Sequence, residues 1–258
     1  MENTSSTLEL VTVPCLSDNY AFLVHNPETK ETALIDAPES APIQAALDAR
    51  GWVLTDILLT HHHPDHVDGV DALRGNARVI GAKADAHRLP ALDVEVSEGA
   101  MLTVCGARTD VFDVSGHTMG HIAFYMAQPG YVFTADSLMA MGCGRLFEGT
   151  PAQMWDSLQK LRALPDETVV CSGHEYTESN MRFALTLDPN NSALISRKEA
   201  ISAARANQQP TVPSTLGEEK RTNPFLRADD PAFKAVLGME TASDVDVFAE
   251  VRLRKDKF

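Results

Sequence analysis

The sequence predicts an α/β fold in which two packed β-sheets are flanked by helices, followed by a C-terminal α-helical domain. First, short apolar segments separated by turn residues fill the first two-thirds of the chain. Second, few helical segments interrupt them, which is typical of two sheets with helices outside. Third, apolar residues recur at helical spacing beyond about residue 150. The 258 residues fit one large domain or a main domain with an appendage.

The first half of the chain is predicted to form strands with one helix among them. The helix covers "APIQAALDARGW" and ends at Gly51. The predicted strands are "LELVTV" (8–13), "YAFLVH" (20–25), "TALIDA" (32–37), "TDILLT" (55–60), "MLTVCG" (101–106), "TDVFDV" (109–114), "HIAFYM" (121–126) and "YVFTAD" (131–136).

From about residue 151 the spacing of apolar residues becomes helical. "PAQMWDSLQKLRAL" has helical spacing with Pro151 in the first turn, and "TVVCSG" (168–173) is a last strand. Helices are predicted over 174–187, 192–208 and 241–254, joined by an extended segment over 208–227. We therefore expect a metal-binding domain at 1–173 and a helical domain at 174–258.

Composition and charge exclude several classes of protein. A net charge of −14 disfavours nucleic-acid binding, which needs a basic face. No apolar run approaches the roughly 20 residues that cross a bilayer. The polar start "MENTSSTLEL" does not resemble a secretory signal. Four widely spaced cysteines indicate reduced thiols in a cytoplasmic protein.

The segment "LLTHHHPDHVDG" (58–69) carries candidate metal ligands in the pattern His-x-His-x-Asp-His. His61 and His63 are two apart, so they face the same side of an extended segment. Asp65 and His66 follow Pro64, where a helix is predicted to begin. Imidazole combined with carboxylate suits zinc, iron or manganese.

Three more candidates, His117, Asp136 and His174, each follow a predicted strand. Binding residues often lie on loops at strand ends. One zinc ion takes about four ligands, so seven candidates indicate two ions, with one carboxylate bridging. For the isolated histidines a structural role is the better interpretation; these are His25, His62, His87 and His121.

These motifs together resemble the metallo-β-lactamase superfamily and, more closely, the glyoxalase II (hydroxyacylglutathione hydrolase) family. The resemblance runs nearly end to end, through "VPCLSDNY", "THHHPDHVDG", "SGHTMGHI", "GCGRLFEGT", "GHEYTESNMRFAL", "TNPFLR" and "RLRKDKF". It implies an αββα sandwich with a helical glutathione-binding domain. It also implies hydrolysis of S-D-lactoylglutathione to D-lactate and glutathione, a step of methylglyoxal detoxification, by a monomer with two Zn²⁺ ions, iron or manganese being alternatives.

The resemblance also assigns roles to individual residues. Asp65 is expected to be both a ligand and the group that orients the nucleophile or accepts its proton, and Asp136 to bridge the ions. The first ion is assigned to His61, His63 and His117, and the second to Asp65, His66 and His174. The glutathione contacts are assigned to Arg145, Phe147, Tyr176, Arg252 and Lys255.

The chain departs from the family pattern at three places. Ala135-Asp136-Ser137 stands where Gly-Asp-Thr is usual, Asp36-Ala37-Pro38 where Asp-Pro-Gly is frequent, and Phe147 where some members have Tyr. The alternative function is a glutathione persulfide dioxygenase with a single iron, whose relatives generally lack a helical domain ending in RxxKD. A metal-free binding protein, a β-lactamase and a nucleophilic Cys143 fit the sequence less well.

Overall fold

The computed structural model describes residues 8–258, which fold as two compact units. The first unit takes in the chain up to Asp113 together with Gly120–Phe133, and the second takes in Val114–Met119 and Thr134–Phe258. Residues 1–7, on which the prediction of no secretory signal largely rests, lie outside the described part. The predicted boundary near residue 173 falls within the second unit and stays a prediction.

The first unit contains a mixed six-stranded sheet. Its first three strands are antiparallel neighbours, and the third to the sixth run parallel. The strands, in sheet order, are β1 (Glu9–Cys15), β2 (Asn19–His25), β3 (Thr32–Ile35), β4 (Asp56–Leu58), β5 (Arg78–Ala82) and β6 (Val94–Val96).

Four antiparallel strands follow in the chain: β7 (Met101–Val104), β8 (Ala107–Asp113), β9 (Ile122–Met126) and β10 (Tyr131–Ala135). The last two residues of β10 belong to the second unit. Phe22 of β2 and Phe133 of β10 have ring centroids 5.9 Å apart, so apolar side chains from both sheets meet in one core.

Short helices cover the first sheet. They are α1 (Ser40–Asp48), α2 (Pro64–Val67) and α3 (Val70–Leu73), with a 3₁₀ turn at Lys83–Asp85. Ile43 and Leu47 of α1 lie one helical turn apart, so both enter the apolar cluster that contains Leu34 and Ile57. β3 and β4, at the start of the parallel part of the sheet, are mostly apolar because both their faces are buried.

The second unit is mainly helical. Its strands are β11 (Leu138–Met139), β12 (Gly142–Cys143), β13 (Val169–Ser172) and β14 (Ser214–Thr215). Its helices are α4 (Pro151–Arg162), α5 (Thr177–Leu187), α6 (Ser192–Ala206), α7 (Leu216–Thr222), α8 (Pro231–Leu237) and α9 (Asp244–Asp256), with a 3₁₀ turn at Pro224–Leu226. Thr150 and Gln153 form a capping box that starts α4 at Pro151, as predicted.

The prediction of an extended segment over 208–227 is wrong over much of its length. The structure has α7 and a 3₁₀ turn there. No apolar periodicity signals α7, because its buried Glu219 is accommodated by hydrogen bonds from distant residues. The short β5, β6 and α8 were not predicted either. Within residues 8–258, no helix combines the length and apolarity needed to cross a membrane.

Candidate metal centre

In the first unit, the histidine-rich loop leaves β4 and enters α2 at Pro64. His61 and His66 are fully buried. The Nε2 atom of His61 lies 3.1 Å from the Nδ1 atom of His63, which confirms that these two side chains face the same side. The ring of His66 lies 4.2 Å from that of His61. The loop therefore concentrates imidazole nitrogens at one point.

A buried carboxylate, Asp36, orients two of these rings. Its Oδ2 atom lies 2.8 Å from His66 Nδ1 and accepts a hydrogen bond of 2.8 Å from the Thr60 hydroxyl. The same hydroxyl lies 3.0 Å from His61 Nδ1. The Nδ1 atoms of His66 and His61 therefore donate to Asp36 and Thr60. The Nε2 atom of each ring is left with the lone pair that a cation needs.

Asp36 and Thr60 were not identified as functional from the sequence. The available signal was the position of Asp36 at the end of the strand "TALIDA", the kind of position used to select Asp136. Asp36 also has φ +56°, a left-handed conformation that Asp tolerates better than most residues.

Asp65 is held by Asn19. The Nδ2 atom of Asn19 donates to both the backbone oxygen and the Oδ2 atom of Asp65, each at 3.0 Å. That Oδ2 atom lies 3.8 Å from Nε2 of His66. The Asp65 side chain keeps 40% of its surface exposed, so its carboxylate is both oriented and open to solvent.

Two isolated histidines have the structural roles predicted for them. Nδ1 of His25 lies 2.9 Å from the Thr32 hydroxyl, and its ring stacks on Trp52. His62 Nδ1 lies 3.0 Å from the Asp85 carboxylate, which also binds Arg88.

In the second unit, Asp136 lies between two histidines. Its Oδ2 atom is 3.3 Å from His117 Nε2, and its Oδ1 atom is 3.4 Å from His174 Nε2. Each carboxylate oxygen thus faces a different imidazole, as a bridging ligand requires. The His117 ring is oriented by Arg145, whose backbone oxygen lies 2.8 Å from Nδ1.

The spacing of these three residues fits a metal ion. Charge-assisted hydrogen bonds are about 2.7–2.9 Å long, shorter than both separations. Two ligands bonded to zinc at about 2.05 Å and at the tetrahedral angle lie about 3.4 Å apart, close to what is found. Histidine and aspartate also form a donor set suited to zinc, iron or manganese. The clusters in the two units therefore support binding of a divalent metal.

Two backbone features fix Asp136. Ala135 has φ +41°, a left-handed conformation that explains why glycine is usual there in the family and that strains alanine. Gly144 donates its N–H to the Asp136 backbone oxygen at 2.8 Å. A Cβ atom at position 144 would overlap that oxygen, so the motif "GCGRLFEGT" needs glycine here.

Three cations of the second unit, Arg145, Arg252 and Lys255, form what we call the basic cluster. Asp256 connects the two arginines, lying 3.6 Å from Arg145 Nε and 2.9 Å from Arg252 Nη2. Arg252 is only 7% exposed and donates to the Cys143 backbone oxygen at 3.0 Å. Partial burial lowers the pKa of Lys255 to about 8, with the charges of Arg252 and Arg182 adding to the effect.

The other predicted contacts flank the histidines of this unit. Phe147 is 61% exposed and its ring centroid lies 5.2 Å from that of His117. Tyr176 is exposed and stacks on His174 at 4.7 Å. Burial raises the pKa of the Cys143 thiol to about 11, so it is a poor nucleophile at neutral pH. Combining the ligands of both units into two ion sites stays a prediction.

Comparisons with known families cover nearly the whole chain. A family model described as "Metallo-beta-lactamase superfamily" matches residues 16–104 and 106–174. A second, described as "Hydroxyacylglutathione hydrolase C-terminus", matches residues 175–258.

Similar proteins agree with these matches. A hydroxyacylglutathione hydrolase of Ruegeria pomeroyi is 64% identical over 253 residues, 97% of this chain and 99% of that protein. One of Rhodobacter capsulatus is 53% identical over 255 residues, 98% and 100% of the two chains.

Solved structures confirm the predicted fold class. The BLEG-1 B3 metallo-β-lactamase has a TM-score of 0.66 at 22% identity, covering 84% of this chain and 99% of that one. ETHE1 from Myxococcus xanthus has a TM-score of 0.64 at 24% identity, covering 97% and 99%. At these identities the likeness concerns the fold alone.

Proposed function

The chain belongs to the hydroxyacylglutathione hydrolase family of the metallo-β-lactamase superfamily, and we propose that it hydrolyses S-D-lactoylglutathione to D-lactate and glutathione. The observation that carries this proposal is the family match over residues 175–258, the segment that holds Arg252 and Lys255. The same match favours hydrolysis over the persulfide dioxygenase alternative, and the curated relatives bear the hydrolase name.

We propose that seven side chains hold two zinc ions, one by His61, His63 and His117 and the other by Asp65, His66 and His174, with Asp136 shared. When bound, such ions lower the pKa of a water molecule towards 7 and polarise a carbonyl oxygen. The oriented imidazoles of each unit and the 3.3 and 3.4 Å separations around Asp136 support this assignment.

The protein's own groups complete the reaction. We propose that Asp65 orients the attacking water and accepts its proton, which is supported by its hydrogen bond from Asn19 and its exposure to solvent. The thiolate of glutathione is a good leaving group, so the mechanism asks for no strong general acid. No nucleophilic cysteine is required either, which agrees with the raised pKa of Cys143.

The basic cluster answers an electrostatic problem. The protein carries a net charge of −14, whereas glutathione, with two carboxylates and one ammonium group, is a net anion. We propose that Lys255, Arg252 and Arg145 attract its carboxylates, while Tyr176 and Phe147 contact its apolar parts. Because these contacts lie away from the reacting carbonyl, they are expected to act on KM more than on kcat.

The direct test measures metal content and thioester hydrolysis on the same purified protein. Under saturating zinc we expect two ions per chain and release of glutathione from its lactoyl thioester without oxygen. A stoichiometry that stays at one would remove the two-ion assignment. Rapid oxygen uptake with glutathione persulfide and negligible thioester turnover would favour the dioxygenase instead.

We also propose that the protein acts as a cytoplasmic monomer. All seven proposed ligands and the basic cluster are on one chain. The four cysteines are free thiols, which suits a reducing compartment. Sedimentation at catalytic concentration tests the first statement, and fractionation of the source cells tests the second.

A further inference from the structure

The two-stranded ribbon β11–β12 lies between the bridging carboxylate and the basic cluster along the chain. Asp136 immediately precedes Ser137 and β11, and Arg145 follows β12 by two residues. At its far end, the Cys143 backbone oxygen accepts the hydrogen bond from Arg252. The position of this ribbon therefore sets where Arg145 and the partner of Arg252 lie relative to Asp136.

Buried side chains from the helical part of the unit form hydrogen bonds with the turn of this ribbon. Asn223 is fully buried and its Nδ2 donates to the backbone oxygens of Met139 and Gly142, at 3.1 and 3.0 Å. Asn180 donates to the backbone oxygen of Ala140 at 3.1 Å. Three backbone carbonyls around the turn, those of residues 139, 140 and 142, thus receive donors from outside the ribbon.

Glu219 binds a backbone N–H group of the same turn. Its carboxylate is fully buried and accepts the backbone N–H of Met141 at 2.7 Å, where the chain has φ +57°. The same carboxylate binds the Asn223 amide and an ion-pair partner, the buried Arg197. A buried charge costs free energy unless it is paired and hydrogen-bonded. The ion pair with Arg197 and the two hydrogen bonds together meet that condition for Glu219.

We propose that Asn223 and Glu219 are positioning residues for glutathione recognition: they lock the β11–β12 ribbon so that the basic cluster keeps a fixed distance from Asp136. This rests on the proposed function, because it gives the helical segment a second task besides supplying Arg252 and Lys255. The ribbon acts as a rigid spacer, and its rigidity comes from the buried Arg197–Glu219–Asn223 network rather than from its own two short strands.

Asn223→Asp tests the proposal with little change in volume. A carboxylate cannot donate to the two ribbon carbonyls but still accepts the N–H of Phe225. Binding of S-methylglutathione, which has no free thiol, is measured by calorimetry on the zinc-loaded protein. We expect the dissociation constant to rise about fivefold or more, the scale of one misplaced charged contact. Gly144 and Arg145, which directly follow the ribbon, also bond to Asp136 and His117. Zinc content and the turnover of an uncharged lactoyl thioester should therefore change as well, but by less than S-methylglutathione binding.

Gly142→Ala perturbs the same hydrogen bonds from the ribbon side, because a Cβ atom there would overlap the Asn180 amide. This variant should also lose more affinity for S-methylglutathione than zinc content or turnover of the uncharged thioester. Asp229→Asn is the matched control, since it breaks an ion pair of the same unit, Arg162–Asp229, that shares no residue with the Arg197–Glu219–Asn223 network. Each variant is also unfolded in urea. If Asn223→Asp does not fold, Gly142→Ala alone carries the test, because it leaves the Arg197–Glu219–Asn223 network in place.

The outcomes separate this proposal from the proposed function. Unchanged binding in both variants, or an equal loss in Asp229→Asn at matched stability, would overturn the positioning role. So would a wild-type protein that does not bind S-methylglutathione. A wild-type protein that binds the probe but does not hydrolyse lactoylglutathione would contradict the proposed function, and the variant binding ratios would still decide the positioning role.

Discussion

The proposed metal ligands and the basic cluster are built differently. The imidazoles of His61, His66 and His117 are buried, and each has its Nδ1 atom bonded to an oxygen that fixes the ring. In the basic cluster, Arg145 and Lys255 are long, partly exposed cations that share one acidic neighbour, Asp256. A ligand must be oriented to a fraction of an ångström, whereas attraction of a carboxylate tolerates a looser arrangement.

This contrast predicts which step each region controls. Changes at the ligands should reduce metal content and kcat, whereas changes in the cluster should raise KM at constant metal content. Arg252 departs from the contrast, because it is buried and bonded to Cys143 and Asp256. Its replacement would disturb packing as well as charge, so Lys255 is the cleaner probe of the cluster.

The largest effect is expected for Asp136→Ala. Because each of its oxygens faces a different histidine, its loss should weaken both ions and reduce kcat by about 100-fold or more, beyond the usual effect of an outer partner. His117→Ala should weaken one ion only. Metal analysis after dialysis compares the two variants. Equal zinc content in Asp136→Ala and the wild type would contradict the bridging assignment.

Asp36→Ala should have the next largest effect. Asp36 orients His66 directly and His61 through Thr60, so its removal should lower zinc affinity by about 10- to 100-fold. Competition with a chromophoric chelator measures this affinity. Asp56→Ala is the control, since it removes another buried carboxylate of the first unit, one that pairs with Arg78 instead. Equal losses in both variants would indicate general destabilisation.

Lys255→Ala should act on binding. We expect KM for lactoylglutathione to rise about tenfold, equivalent to about 1.4 kcal/mol, with kcat and metal content changed less. The effect should shrink at high salt, since the ammonium is partly exposed. Lys257→Ala removes the same charge at the exposed end of α9 and serves as the control. If both variants behave alike, net charge rather than a specific contact governs binding.

The pH dependence of binding should report the pKa of Lys255, about 8. The ammonium is lost as pH rises through this value, so the affinity for S-methylglutathione should fall between pH 7 and 9, and Lys255→Ala should flatten the curve. The free energy of unfolding should depend on pH in the opposite direction. Because the folded pKa lies below the unfolded one, this group's contribution becomes more favourable as pH rises from 8 towards its ordinary value of 10.5.

Phe147→Tyr should have the smallest effect. The exposed ring beside His117 lacks the hydroxyl that some family members have, and one added hydrogen bond to the substrate is worth about 0.5–1.5 kcal/mol. We expect KM to fall about twofold to fivefold, with kcat and zinc content unchanged. Steady-state kinetics at matched metal loading measures it, and an unchanged KM would mean that the ring does not contact glutathione.

The sequence alone predicted much of the molecule. Seven candidate ligands could be selected because each lies beside a strong local signal, either the His-x-His-x-Asp-His spacing or the end of an apolar strand. Local patterns predict the early strands, the start of α4 and the helices near 174–187, 192–208 and 241–254. Each of these elements depends on residues that are neighbours along the chain. The family resemblance was readable for the same reason.

Only the tertiary structure decided which polar residues are buried and what they hold. In the sequence, Asn19 lies between two predicted strands and Asp36 at a strand end, and Glu219 and Asn223 lie in a segment predicted to be extended. None of them is distinguished by a local pattern. Each acts through partners 22 to 84 positions away, such as Asp65 for Asn19 and Met139 for Asn223. The sequence did not predict α7 for the same reason, since its buried Glu219 is bonded to distant residues. A hydrogen bond between distant segments leaves no periodic trace, because it depends on how the backbone brings those segments together rather than on the residues beside them.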